Sequence, residues 1–143
     1  MHEKFIKPEW LDEFEKNSQK EIAVLNHWDG EITQFLVPMK DNEAALSWTF
    51  SNPVNEYKHE MIIKLTDHEA QTIFESKPLT GMIEDIRNNL SYPESVIRVT
   101  DRENSEKNAE MNYMINKTDT EKEFNDNMYK VAIKLEKGIK KRP

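Results

Sequence analysis

Hydrophobic and polar residues alternate through the first half of the chain, and this period of two predicts strands. The segments EIAVLNHW and EITQFLV flank Asp29-Gly30, a pair favoured in two-residue hairpin turns whose central residues need positive φ. The segments EAALSWTFS and HEMIIKLT follow after short connections and also alternate. Four successive strands with short connections predict an antiparallel meander. The predicted inward sides are Ala44, Leu46, Trp48 and Phe50, then His59, Met61, Ile63 and Leu65.

The predicted hairpin determines which of its side chains share a face. A two-residue turn places His27 opposite Ile32 on one face. His27 and Glu31 then lie on opposite faces, and Asp29 lies at the tip because it suits the turn backbone. We therefore interpret the segment NHWDGE as a turn and not as an acid–base site. The pairs predicted on the other face are Ile22–Val37, Val24–Phe35 and Trp28–Glu31.

Amphipathic spacing predicts helices on both sides of the meander. We expect a short helix from about Pro8 to Lys20, because proline suits a first helical turn. Thr66 with Glu69 forms a capping box that starts a second helix. Pro78 should end that helix and can start a third. The apolar stripes are Trp10, Leu11 and Phe14 in the first helix, Ala70, Ile73 and Phe74 in the second, and Leu79, Met82, Ile83, Ile86 and Leu90 in the third.

The remaining part of the chain predicts two strands and a long helix. The segments SVIRVT and AEMNYMIN read as strands joined by the charged loop DRENSEKN. A helix from about Asp119 to Lys140 follows, with Thr118 and Glu121 as its predicted cap. Its apolar stripe is Phe124, Met128, Val131, Leu135 and Ile139. The predicted fold is one α+β domain over residues 1–143: helix, four-strand antiparallel meander, two helices, two strands and a C-terminal helix, with the sheet packed by helices.

The charge of the chain argues against nucleic-acid binding. The formal net charge is −7, but the last ten residues hold five basic side chains against Glu136, a local +4, so the other 133 residues carry −11. Such an acidic body repels phosphates. The basic tail suits a helix C-terminus through the macrodipole, although it could also contact an acidic partner or a membrane surface.

Several chemistries are missing from the sequence. The chain has no cysteine, which excludes disulfides and thiolate metal sites. It has no glycine-rich phosphate loop, no G-x-S-x-G and no H-E-x-x-H motif, so we expect no cofactor. No apolar stretch has the length of a signal peptide or a membrane span, and we expect a cytoplasmic protein that does not bind membranes.

A metal site is the sharpest chemical alternative that the residues offer. His59, Glu60, Asp67, His68 and Glu69 lie close together in sequence, where a strand ends and a helix starts. Their spacing matches no specific metal-binding pattern. First-turn acids are common in helices, and a histidine on an apolar strand face is usually a hydrogen-bonded core residue. We therefore assign no metal ligand and no catalytic residue.

The sequence is most consistent with a non-enzymatic protein-binding module, such as an adaptor, a chaperone-like domain or an inhibitor. Burial is the first interpretation of Trp28 and Trp48, because their faces also carry large apolar residues, and exposure of one of them at a partner surface is the alternative. The candidate partner-binding residues are Trp28, Trp48, Val54 and Tyr57, because tryptophan and tyrosine are enriched in binding hot spots. A homodimer is plausible, since a second copy often covers an open sheet edge. Two alternatives stay open: a small-ligand-binding protein or small enzyme with a pocket between sheet and helices, and an acidic mimic of nucleic acid.

Overall fold

The computed structural model of the protein describes residues 5–75 and 94–142. Within these ranges the chain forms an antiparallel sheet packed by helices, as the α+β prediction requires. The helices are α1 (Glu9–Ser18), α2 (Asp67–Glu75) and α3 (Glu121–Lys140), with a short 3₁₀ turn at Lys40–Asn42. The strands are β1 (Ala23–Trp28), β2 (Glu31–Pro38), β3 (Ala44–Thr49), β4 (Tyr57–Leu65), β5 (Ser95–Asp101) and β6 (Asn108–Asn112).

All of these strands belong to one sheet, and they lie in it in chain order. The order is β1-β2-β3-β4-β5-β6, and each neighbouring pair is antiparallel. The predicted four-strand meander is therefore wrong in its extent, because β5 pairs directly with β4 and extends the meander to six strands. Strand periodicity predicted the later strands but carried no information about which edge of the sheet they would join.

The predicted hairpin turn is confirmed, and three of its four predicted pairs form. Asp29 and Gly30 have φ values of 50° and 80°, which is the conformation that a two-residue turn of this type requires. Trp28 pairs with Glu31, His27 with Ile32, and Val24 with Phe35. The register shifts on both sides of Asn26, so the strand is irregular in its middle. Ile22 lies just before β1 and does not extend the ladder.

The first face of the sheet, which we call the α3 face, is covered by α2 and α3. Its strands contribute Leu36, Leu46, Met61, Ile63 and Ile97 to one buried cluster. Helix α3 docks with its predicted stripe, since Phe124, Met128 and Leu135 are all buried. The alternation of large apolar residues in the strands and their spacing in the helix therefore converge on one core.

The opposite face, which we call the α1 face, has a smaller apolar core. Trp10, Leu11 and Phe14 are buried as predicted. They pack on Val37, Met39, Ala45, Ile62 and Val96. The rings of Phe14 and Phe35 stack with centroids 6.3 Å apart. Since α1 is only ten residues long, it covers only part of this face.

The observed helix cap matches the predicted cap at α2 and differs from it at α3. Thr66 and Glu69 form the predicted box, in which the Thr66 N–H donates to the Glu69 carboxylate at 3.0 Å. At α3 the cap is Thr120 with Glu123, and the prediction of Thr118 with Glu121 is wrong. Thr118 instead donates to the side chain of Asn116 in the preceding turn. Both threonines stand three residues before a glutamate, so spacing alone did not separate them.

Other element ends also differ from the predictions. Helix α1 ends at Ser18 and not at Lys20, and β6 ends at Asn112 and not at Asn116. The predicted helix that starts at Pro78 lies outside the described residues. None of the described helices combines the length and the apolar character needed to span a membrane.

Candidate functional site

Three connections lie at the same end of the sheet, which we call the loop end. They are the Asp29-Gly30 turn, residues 50–56 between β3 and β4, and residues 102–107 between β5 and β6. Their common location follows from the meander, because alternate connections of sequential antiparallel strands return to the same edge. The chain thus brings together three segments that are far apart in sequence.

Arg102 ties these three connections to one another. Its backbone N–H donates to the carbonyl oxygen of Glu56 at 3.1 Å. Its guanidinium donates to the Glu31 carboxylate at 2.8 Å and to the carbonyl oxygen of Asn52 at 3.1 Å. The Arg102 and Glu31 side chains are only 22% and 20% exposed, so this ion pair is shielded from water. The loop end is therefore cross-linked by one side chain.

Trp28 and Val54 project from the loop end into solvent. Trp28 is 52% exposed at the end of β1, and Val54 is 83% exposed in the β3–β4 connection. Trp28 stands directly before the tight turn and opposite Glu31, the partner of Arg102. The backbone that carries each apolar side chain is thus held by hydrogen bonds or by the ion pair, which lowers the entropy that binding would cost.

Trp48 and Tyr57, the other predicted partner-binding residues, lie deeper. Trp48 is half-buried on the α3 face, and its ring centroid is 5.8 Å from that of Phe50. Tyr57 is 8% exposed and belongs to the same core cluster. The Lys140 ammonium lies 5.5 Å from the centroid of the Tyr57 ring. These two residues support the loop end from within and present little surface of their own.

The part of the α1 face that α1 leaves uncovered is a polar cavity of about 640 Å³. Glu60 lies in its floor, is 5% exposed and accepts a hydrogen bond from the Ser47 hydroxyl at 2.5 Å. Arg98 is the cross-strand neighbour of Glu60 and also contacts the carboxylates of Glu15 and Glu110. A cation that is only partly exposed is thus surrounded by carboxylates.

The balance of forces on Arg98 keeps it charged. Burial by itself disfavours the guanidinium cation, but the carboxylates of Glu60, Glu110 and Glu15 outweigh that effect and raise the pKa of Arg98 above its ordinary value. Several polar atoms of this face are buried without a hydrogen-bond partner among the described residues, including Arg98 Nε, Arg102 Nε and Thr49 Oγ1. Arg98 therefore keeps its charge in this network, although the polar groups of the region are incompletely paired.

The sequence contains a signal for this network that periodicity alone did not reveal. In HEMIIKLT and SVIRVT, Glu60 and Arg98 occupy the polar positions of strands that are otherwise rich in apolar residues. Once β4 and β5 are neighbours, those two positions face each other. Opposite charges at such positions are a cross-strand pair. The pairing of β4 with β5 was the missing information.

The histidines fall into structural positions. His59 is buried on the α3 face, as predicted for a core residue, and its Nε2 contacts the carboxylate of Glu136 in α3. Its ring lies near Phe50 and Tyr129, with centroids 5.7 and 6.4 Å away. His27 stands opposite Ile32, on the face that does not carry Glu31. The predicted separation of that imidazole from the Glu31 carboxylate is confirmed.

The residues considered for a metal do not converge. His59 and Glu60 are consecutive in β4 and point to opposite faces of the sheet. Glu69 is engaged in the cap of α2 with Thr66. In the described ranges no three histidine or acidic side chains are grouped in a way that would hold a metal ion.

Comparisons of the chain with protein-family models, with curated proteins and with solved structures found no match. The case for a function therefore rests on the residues of this chain.

Proposed function

We propose that the protein is a non-enzymatic protein-binding module and that the loop end is its contact surface. The observation that carries the proposal is the exposed Trp28, which stands on a tight turn beside loops that Arg102 cross-links. Exposed tryptophan on a fixed backbone is typical of binding hot spots, because it offers a large contact area at a low entropic cost. Val54 extends the apolar area at the same end.

The charges around these apolar residues indicate the chemistry of the partner. Four exposed carboxylates lie in the three connections, at Asp29, Glu56, Glu103 and Glu106. A polar rim around an apolar centre is the usual anatomy of a protein interface, and complementary charges speed association. The proposed partner surface is therefore apolar at its centre and basic at its rim.

The test is quantitative capture of partners from the native cell by three immobilised proteins. These are the wild type, a Trp28→Ala/Val54→Ser double variant, and a Met114→Ser variant as a control. Met114 is 87% exposed just beyond the end of β6, at the opposite end of the sheet. Truncating hot-spot residues costs about 2 kcal/mol or more, so the double variant should bind a true partner at least roughly tenfold more weakly.

The control defines which captured proteins count. A protein retained by the wild type and by Met114→Ser but lost by the double variant supports the loop end as the contact surface. Retention of the same proteins by all three, with equal affinity, contradicts the proposal. Circular dichroism of the double variant should be unchanged, because both substituted side chains are exposed.

A second candidate function, binding of a small polar ligand, is favoured by the cavity on the α1 face. Buried Glu60 beside partly exposed Arg98 in an open cavity is an arrangement in which mixed charges can bind a small zwitterion. A thermal-shift panel of amino acids and metabolites tests this candidate, because a ligand bound only by the native state raises the melting temperature. If no compound raises the melting temperature and partner capture depends on Trp28, only the protein-binding function remains supported.

A further inference from the structure

The solvent-facing side of α3 carries a strip of basic and apolar side chains. Tyr129 and Ile133 are 44% and 43% exposed on this side. Lys130, Lys134 and Lys137 flank them and are also exposed. With Asp126 these side chains line a shallow depression of about 560 Å³. We call this surface the α3 strip.

The cations of the α3 strip are not explained by the helix itself. Lysines in the last turn complement the macrodipole, which accounts for Lys137 and Lys140, but Lys130 and Lys134 stand earlier in the helix. Lys130 and Lys134 are four residues apart, and Lys134 and Lys137 are three apart, so like charges repel along the strip. None of the described carboxylates forms an ion pair with these three lysines.

Tyr129 of the strip is held in place by the rest of the fold. The Tyr129 hydroxyl donates to the carbonyl oxygen of Phe50 at 2.8 Å, and the two rings meet edge to face with centroids 5.4 Å apart. The opposite side of the helix is fixed by Phe124, Met128 and Leu135 in the core. The strip is therefore a rigid surface with two apolar contacts and a row of cations.

We propose that the α3 strip is a second docking surface and that its partner is an acidic, amphipathic segment of another protein. Charge complementarity selects this partner, because the lysines repel one another until carboxylates neutralise them. A two-fold pairing of α3 with α3 of a second copy would place lysines against lysines, which disfavours it. A membrane is a poorer match, because only Tyr129 and Ile133 offer apolar area, and the Tyr129 hydroxyl is already bonded to the fold.

This proposal is independent of the loop end. The loop end carries exposed carboxylates and should bind a partner with a basic rim, whereas the α3 strip should bind an acidic segment. Failure of either docking surface in the experiments therefore leaves the other unaffected.

The test is an NMR titration of the ¹⁵N-labelled full chain with a synthetic peptide that has a leucine stripe at helical spacing and glutamate elsewhere. Polyglutamate, phosphatidylserine vesicles and duplex DNA are the comparison probes. We expect the amphipathic peptide to shift the backbone amides of residues 126–141 and polyglutamate to bind more weakly. The affinity should fall as salt is raised, because exposed charges are screened.

Matched variants separate a docking site from general attraction of anions. The triple variant Lys130→Gln/Lys134→Gln/Lys137→Gln should bind the peptide at least tenfold more weakly. The control variant Lys16→Gln/Lys20→Gln, with one change on α1 and one just beyond it, should bind the peptide as the wild type does. Ile133→Ser should also weaken it, and Trp28→Ala should have no effect. All of these side chains are exposed, so the variants should fold.

Four outcomes would overturn the proposal. They are no binding of the amphipathic peptide, equal binding by polyglutamate, equal binding by the triple lysine variant, and tighter binding to the vesicles or the DNA. Equal binding by polyglutamate would show attraction of anions without an apolar contact. Preference for vesicles or DNA would assign the strip to a different class of partner.

Discussion

The two faces of the sheet are formed by alternate residues of the same strands, yet they are filled in different ways. The α3 face is covered by α2 and α3, and its strands contribute Leu46, Met61, Ile63 and Ile97 to one apolar core. The α1 face is apolar beneath α1 and then changes to the ion network of Arg98 with Glu15 and Glu110, beside buried Glu60. One face is filled by apolar packing, and part of the other is filled by a network of charged side chains.

This difference predicts that the two faces respond differently to substitution. A buried apolar side chain contributes in proportion to the area and volume that it fills. A buried charge adds little net stability by itself, but removal of its partner leaves an unpaired ion and is costly. Truncation should therefore have its largest effects on the α3 face, and loss of partners should matter most on the α1 face.

The largest effect is expected at Phe124, which is fully buried between α3 and the sheet. Replacement of a buried phenylalanine by alanine costs about 3 to 5 kcal/mol, so Phe124→Ala should lower the free energy of unfolding by about that amount. Chemical denaturation measures it. Ile133→Ala on the exposed side of the same helix should change stability by less than about 0.5 kcal/mol. Equal effects would show that α3 is not docked on the sheet through its Phe124 side.

The second effect concerns the cation of the α1 face. Arg98→Met removes the guanidinium but keeps an unbranched side chain, leaving Glu60 buried without its neighbour. Removing one partner of a buried pair costs about 3 to 5 kcal/mol. Arg98 is partly exposed, contacts Glu15 and Glu110 directly and acts on Glu60 only through its charge, so the loss should lie at or below the lower end of that range. The double variant Arg98→Met/Glu60→Gln should recover part of the loss. No recovery would show that Arg98 acts only through Glu15 and Glu110.

The features that depend on local spacing could be predicted from the sequence. The apolar face of each strand, the turn at Asp29-Gly30 and the buried stripe of α3 were all predictable, because each depends on local spacing. The cap of α3 was not, since Thr118 and Thr120 both stand three residues before a glutamate. Local competition by Asn116 for Thr118 decided between them.

The candidate site was predictable only in part. Trp28 is 52% exposed although burial was its first interpretation, and the burial of Tyr57 depends on the α3 core, which is far away in sequence. Arg102 was not identified at all, although it ties three loops together. Its role depends on where β5 joins the sheet, and periodicity along one strand contains no such information.

Smaller effects on stability are expected at two buried hydroxyls of the α1 face, one with a hydrogen-bond partner and one without. Ser47 is fully buried and donates to Glu60, whereas Thr49 is buried without a partner among the described residues. Ser47→Ala should cost about 1 to 3 kcal/mol, because it leaves a buried carboxylate oxygen unpaired. Thr49→Val, which has the same shape, should be neutral or slightly stabilising. The reverse order of the two unfolding midpoints would contradict the hydrogen-bond assignment of this face.

The last prediction concerns the hydroxyl of Tyr113, whose contribution to the pH dependence of stability becomes visible only in alkaline solution. Tyr113 lies on the α3 side with its ring edge to face against Phe124, at a centroid distance of 6.2 Å. Burial, assisted by the negative charge of Asp119, raises the pKa of Tyr113 from 10.0 to about 12. The folded state therefore holds the phenol proton more tightly than the unfolded state does.

The sign of the pH dependence follows from that difference. The stabilisation is fully present below about pH 10 and is lost as the pH rises towards about 12, because the unfolded chain ionises first. Tyr113→Phe has no such proton, so its unfolding midpoint should fall less than that of the wild type above about pH 10. Urea titrations across this range measure both curves, and tyrosinate absorbance follows the ionisation directly. Parallel curves would show that the Tyr113 hydroxyl is as accessible to water in the folded protein as in the unfolded chain, and the apolar character of the α3 face would then end before β6.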